Sequence, residues 1–96
     1  MKKTFSLTHA KIKTPRLIEA AKHEVKKYLR RERNKPLIDG ADFWDFDCRY
    51  GATEENAQTI HLSTINKNID DAEQLELKSF YLEILAKPGR KPKNSS

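Results

Sequence analysis

The chain has 96 residues, a third of them charged, and a formal net charge of +5. That length provides one core and excludes a second domain, while the single cysteine, Cys48, excludes an internal disulfide or a cysteine-rich metal cage. The charge is unevenly placed: residues 1–14 carry +4, 15–35 carry +5, 36–78 carry −7 and 79–96 carry +3.

Residues 3–8 alternate, with Phe5 and Leu7 on one side, and predict a first strand. Thr14 is placed to cap a helix with Pro15 at its first position, running to about Arg33 before Asn34 and Pro36 stop it. On a 3.6-residue period Leu17, Ile18, Ala21, Val25, Tyr28 and Leu29 share one face. Lys22, Lys26, Lys27, Arg30, Arg31 and Arg33 spread over the other, where only Glu19 intrudes. Like charges four apart each cost roughly 0.2–0.5 kcal/mol in an isolated helix, so this face calls for an anion. That anion is either a nucleic-acid backbone or the carboxylates of Asp70, Asp71, Glu73 and Glu76. Kept beside it is the bland alternative of a solvated basic face.

Asp39-Gly40 turns the chain into residues 42–50, whose alternation puts Trp44, Phe46, Cys48 and Tyr50 on one face and Phe43, Asp45, Asp47 and Arg49 on the other. Residues 51–56 read as a loop and 58–62 as the partner strand of a hairpin. A helix from Thr53 onward competes for the same residues, and would leave a three-stranded sheet. Pairing Tyr50 with Gln58 sets Arg49 opposite Thr59 and Asp47 opposite His61. Ser63 can cap a short second helix with Ile65, Ile69 and Ala72 inward. The last strand, 80–87, turns Phe80, Leu82, Ile84 and Ala86 to the core, with Tyr81 and Leu85 outward. Pro88-Gly89 ends it, and the basic segment 88–96 is expected to be disordered.

The expected fold is therefore an α+β two-layer sandwich over residues 1–87, with the strand-helix-strand-strand-helix-strand order of ferredoxin-like domains. In that fold two helices cover one face of an antiparallel sheet, strands one and three lie at its centre, and strand two lies at an edge.

The blocks K-H-E-V-K-K-Y-L-R-R-E-R (22–33), D-F-W-D-F-D-C-R-Y-G (42–51) and F-Y-L-E-I-L-A-K-P-G-R (80–90) resemble a family of short bacterial proteins catalogued only as a domain of unknown function. The resemblance spans nearly the whole chain and implies a small bacterial cytoplasmic protein. It carries no activity, ligand or catalytic residue with it.

Other chemistry is sparse. No phosphate-cradling glycine loop, nucleophile elbow or metal-finger spacing occurs. Base stacking on the sheet, as in RNA-recognition motifs, is disfavoured because Thr4, Ser6, Thr8, Thr59 and His61 are the outward residues of strands one and three. Asp47 beside His61 reads as a cross-strand ion pair before it reads as an acid–base pair or a metal site. Cys48 reads as a small core hydrophobe, and Trp44 and Phe46 as core or dimer anchors. Neither an apolar run of membrane-spanning length nor a signal-peptide core follows M-K-K, so a cytoplasmic location is expected. The expectation is thus a non-enzymatic binder of nucleic acid or another acidic partner, without cofactor or metal. The alternative is an interaction or homodimer module using the open sheet face.

Overall fold

The computed structural model describes residues 1–91. Four strands, β1 (Lys2–Ser6), β2 (Phe43–Gly51), β3 (Gln58–Ile60) and β4 (Ser79–Gly89), form one antiparallel sheet with two helices, α1 (Thr14–Arg33) and α2 (Ile65–Gln74). A 3-10 turn over Leu62–Thr64 precedes α2. Of the segment expected to form a disordered tail, Pro88 and Gly89 belong instead to β4. They pair with Trp44 and Phe43 inside the sheet, and residues 92–96 lie outside the described residues.

Strands and helices follow one another as expected, but the sheet order is β1-β4-β2-β3. The ferredoxin-like arrangement is corrected accordingly: β4 and β2 occupy the centre, and β1 and β3 are the edges. The β2–β3 hairpin is turned round relative to the expected sheet, so its long strand lies inside. The reason is visible in burial. Phe80 to Ile84 are all buried, on both faces of β4, which a strand flanked by two neighbours achieves more readily than one at an edge. In β1, by contrast, only Phe5 is buried, and Lys2 and Lys3 mark it as an edge that resists pairing with another chain.

Both helices lie on one face of the sheet. Ile18, Ala21 and Val25 of α1 and Ile65, Ile69 and Ala72 of α2 pack with Phe5, Leu7, Phe46, Cys48, Phe80, Leu82 and Ile84 in one core. Phe80 stacks on Phe5 with ring centroids 5.0 Å apart and meets Tyr50 at 5.8 Å. The inward faces assigned to α1, α2 and the strands therefore hold. Trp44 is the exception. It is half-buried, packed against the core edge, and its Nε1 donates to the carbonyl of Lys35 at 2.9 Å. It ties down the segment that leaves α1, and is not the deeply buried anchor that the alternation suggests.

Helix starts are built differently from the expectation. The Thr14 hydroxyl donates to the Leu7 carbonyl at 3.1 Å, tying the helix to the end of β1, while Lys13 precedes the helix with no side-chain cap. His61 Nδ1, not Ser63, accepts the backbone N–H at the start of the 3-10 turn, from Ser63 at 3.1 Å. The helix signal at Thr53 yields a single turn, in which Thr53 Oγ1 accepts from the Asn56 N–H. The hairpin then closes over Gly51, where a Cβ would stand 2.7 Å from Ala57 Cα, so any side chain would push the return strand away.

Cys48 is buried, and that burial pushes its thiol up to about 11. A thiol whose pKa is raised in the folded state destabilises that state as pH climbs from its unfolded value towards 11, because the unfolded chain gives up the proton first. We expect Cys48 to be inert to thiol reagents at neutral pH in the native protein and reactive once unfolded. Cys48→Ala should lose less stability than the parent between about pH 9 and 11. Native thiol labelling at the unfolded rate would contradict this placement.

Candidate nucleic-acid interface

The six cations assigned to the basic face of α1 have different fates. Lys22 is tied to the second helix, its Nζ 2.5 Å from Asp70 Oδ1 and 3.9 Å from Glu19 Oε1. The hydrogen bond to Asp70 raises its pKa and holds the charge. Arg31 and Arg33 are laid over aromatic rings, 5.8 Å from the Tyr28 centroid and 5.5 Å from that of Phe46, within cation–π range. Lys26, Lys27 and Arg30 are exposed and make no ion pair among the described residues.

Among the six, direct ion pairing is confined to Lys22, while Glu32 lies close enough to Arg31 to feel its charge. Asp71, Glu73 and Glu76 make no ion pair with α1, although they had been the alternative anion. Two further pairs involve other residues. Lys3 joins Glu24 at 2.7 Å, and Lys35 joins Glu32 at 2.5 Å, which holds the Glu32 carboxyl below the usual carboxylate range. What stays open is a ridge of Lys26, Lys27 and Arg30, with Arg31 and Arg33 fixed at its C-terminal end. That end also carries the negative pole of the helix, which favours the three arginines there.

The ridge has two flanks. On one, Lys26 and Arg33 border a groove of about 440 Å³ between α1 and residues Leu62–Asn66. On the other, Lys27 and Arg31 border a hollow of about 510 Å³ beside Tyr28.

The second candidate, Asp47 with His61, is not brought together. Tyr50 does pair with Gln58 and Arg49 with Thr59, but the β-ladder ends at Cys48–Ile60 because His61 turns to cap the 3-10 turn. Asp47 Oδ1 instead accepts a hydrogen bond at 2.7 Å from Nζ of Lys87, which stands opposite Asp45 on β4 and reaches Asp47 diagonally. No group of three or more His, Cys, Asp or Glu side chains is arranged to hold a metal among the described residues. The Asp47 hydrogen bond raises the Lys87 pKa. Replacing Asp47 with Asn should return Lys87 toward its ordinary value and leave folding unchanged. A Lys87 that titrates unchanged in that variant would contradict the pairing.

Sequence reasoning missed a buried polar cluster on the helix-free face. Tyr81 and Glu83, 3 % and 7 % exposed, lie on that face, and the Tyr81 hydroxyl donates to Glu83 Oε1 at 2.8 Å. Arg49 reaches the same carboxylate at 3.5 Å and donates to the Ala57 carbonyl at 3.0 Å. Burial, then the Glu83 hydrogen bond, pushes the Tyr81 phenol up to about 12. Tyr81 is thus not an exposed outward residue. The available signal was Glu83 itself, a lone acid inside the apolar run F-Y-L-E-I-L.

These features define a small α+β domain: a four-stranded antiparallel sheet and one helical layer, with Lys26, Lys27 and Arg30 exposed on α1. The chain belongs to the family of unknown function DUF6172, whose model matches residues 1–95. Comparison with curated proteins and comparison with solved structures each gave no match. No helix among the described residues is long and apolar enough to cross a membrane.

Proposed function

We propose that this domain is a non-enzymatic binder of polyanions, nucleic acid foremost, acting in the bacterial cytoplasm through Lys26, Lys27, Arg30, Arg31 and Arg33 of α1. The observation that supports this reading is the lack of any carboxylate partner for Lys26, Lys27 and Arg30 among the described residues. Adjacent acidic helix residues were available and the fold leaves them elsewhere. Lys22 contributes to the field while bound to Asp70. Contacts of this kind position a phosphate backbone without reading its sequence. The single buried thiol of Cys48 suits a reducing compartment.

The test is fluorescence anisotropy with a labelled mixed-sequence oligonucleotide at low salt, challenged by excess polyglutamate. Displacement by unlabelled nucleic acid at a lower charge concentration than by polyglutamate is expected. Equal displacement by polyglutamate would reduce the ridge to a general anion exchanger, and no binding at low salt would discard the proposal.

A second reading, a homodimer through the helix-free sheet face, draws on Phe43 and Leu85, each 40 % exposed there. Against it, the Phe43 ring already covers Gly89, where a Cβ would lie 2.3 Å from it. Lys87, shared by Asp45 and Asp47, then separates Phe43 from Leu85. This reading predicts a dimer in sedimentation that Leu85→Glu dissociates.

A further inference from the structure

Resting on the polyanion reading of the α1 ridge, we propose that its nucleic-acid ligand is single-stranded, with one unpaired base lodged in the groove between α1 and residues Leu62–Asn66. The groove's walls are what distinguish it from the rest of the ridge. Val25 and Leu29 of α1 face Leu62 and Ile65 across it, giving an aliphatic floor. Lys26 and Arg33 stand on the α1 side, the latter held over Phe46, with His23 and the Glu19 carboxylate toward the Lys22 end. The opposite bank carries no carboxylate but two neutral hydrogen-bonding side chains, Ser63 and Asn66, both exposed. At the far end Lys22 is already spoken for by Asp70.

This arrangement sorts ligands by what they can put on the floor. A duplex offers the ridge phosphates alone, since its bases are stacked and paired, and the floor stays wet beneath it. A single strand can place phosphates on Lys26 and Arg33 and turn a base inward over Leu29 and Leu62, with its polar edge toward Asn66 and Ser63. The volume, about 440 Å³, is that of a small-ligand site, and the mixture of apolar floor and few polar groups is typical of one. An acidic amphipathic helix would need an apolar strip several turns long, which Lys22, Asp70 and Glu19 interrupt. Aliphatic contact is weaker than the aromatic stacking that many single-strand binders use, so the preference should be modest and without base specificity.

Charge alone predicts the opposite order, because duplex DNA carries the denser phosphate array. That contrast makes the test sharp. Three labelled probes of equal length are compared at low salt: oligothymidylate, the same sequence as a duplex, and an abasic single strand with the same phosphates. The expected result is oligothymidylate bound several-fold, up to about tenfold, more tightly than either of the others, the gain of one partly buried base. Asn66→Met, at an exposed position on the rim, reaches over the groove without changing charge or adding a stacking ring; it should abolish the thymidylate preference and leave duplex the tightest of the three, as charge alone predicts. Equal binding of thymidylate and abasic strands by the parent protein, or tighter binding of duplex, overturns the base-in-groove proposal and leaves the polyanion reading standing. Loss of all binding to all three probes removes both.

Discussion

Reversing Lys26, Lys27 and Arg30 to glutamate together should reduce nucleic-acid affinity at low salt by at least about a hundredfold, since each lost cation forfeits counterion release and each new carboxylate repels the backbone. The fold should survive. None of the three makes an ion pair or an aromatic contact among the described residues, and all are exposed. The reversal exchanges one like-charge pair at positions 26 and 30 for another and sets a carboxylate near the negative helix end, so a small loss of stability, under about 1 kcal/mol, is expected. Circular dichroism and thermal melting of the triple variant therefore serve as the internal control. Retained affinity with an intact fold would move the binding surface off α1. Arg33 is the poorer choice for such a test, because its guanidinium also covers Phe46 and its loss confounds packing with charge.

The second large effect is on stability. Phe80 is completely buried on the central strand, stacked on Phe5 and against Tyr50, so its ring links the edge strand β1 to the sheet centre. Phe80→Ala should cost about 3–5 kcal/mol, the range for truncating a buried aromatic. A domain of this size holds on the order of 5–15 kcal/mol in total, so the variant should melt far lower or be largely unfolded at room temperature. Leu85→Ala, on the same strand but half-exposed on the other face, should shift the melting curve little. Similar losses for both would mean that the helix-free face of β4 is covered by something.

How much of this was legible in the chain depended on how local the cause was. Helix α1 could be bounded because Pro15, the apolar stripe and Asn34-Lys35-Pro36 all act within one element. The β2–β3 register could be set at Tyr50–Gln58 because the hairpin is closed by a short loop. The sheet order could not be reached the same way, since two antiparallel arrangements satisfy the same alternation. What decides between them is the continuous burial of Phe80 to Ile84 on both faces and the lysines of β1, a comparison between distant strands. The Asp47–His61 pair failed for a different reason. It assumed that a strand continues as long as its side chains alternate, whereas His61, Ser63 and Thr64 are all capable of capping, and they end the ladder one residue earlier. Nor does periodicity reveal whether a lysine on an exposed face has a partner. Lys22 finds Asp70 and Lys26, one turn on, finds none, a difference fixed by where α2 crosses α1.

The burial of Glu83 shows the same limit from the other side. Alternation assigns it outward correctly, yet on that face Tyr81, Arg49 and the returning hairpin enclose it. An acid in that position is stable because its lone pairs are taken by a phenol and a guanidinium. No buried side-chain oxygen or nitrogen among the described residues is left without a partner.

The central claim, that an uncompensated ridge on α1 exists to meet phosphates, is tested most directly by the salt dependence of oligothymidylate binding. Each phosphate neutralised on a single strand contributes about −0.7 to the slope of log K against log salt. Engagement of three to five of the cations Lys26, Lys27, Arg30, Arg31 and Arg33 therefore predicts a slope between about −2 and −3.5. A slope near zero, or no binding even at low salt, would contradict it.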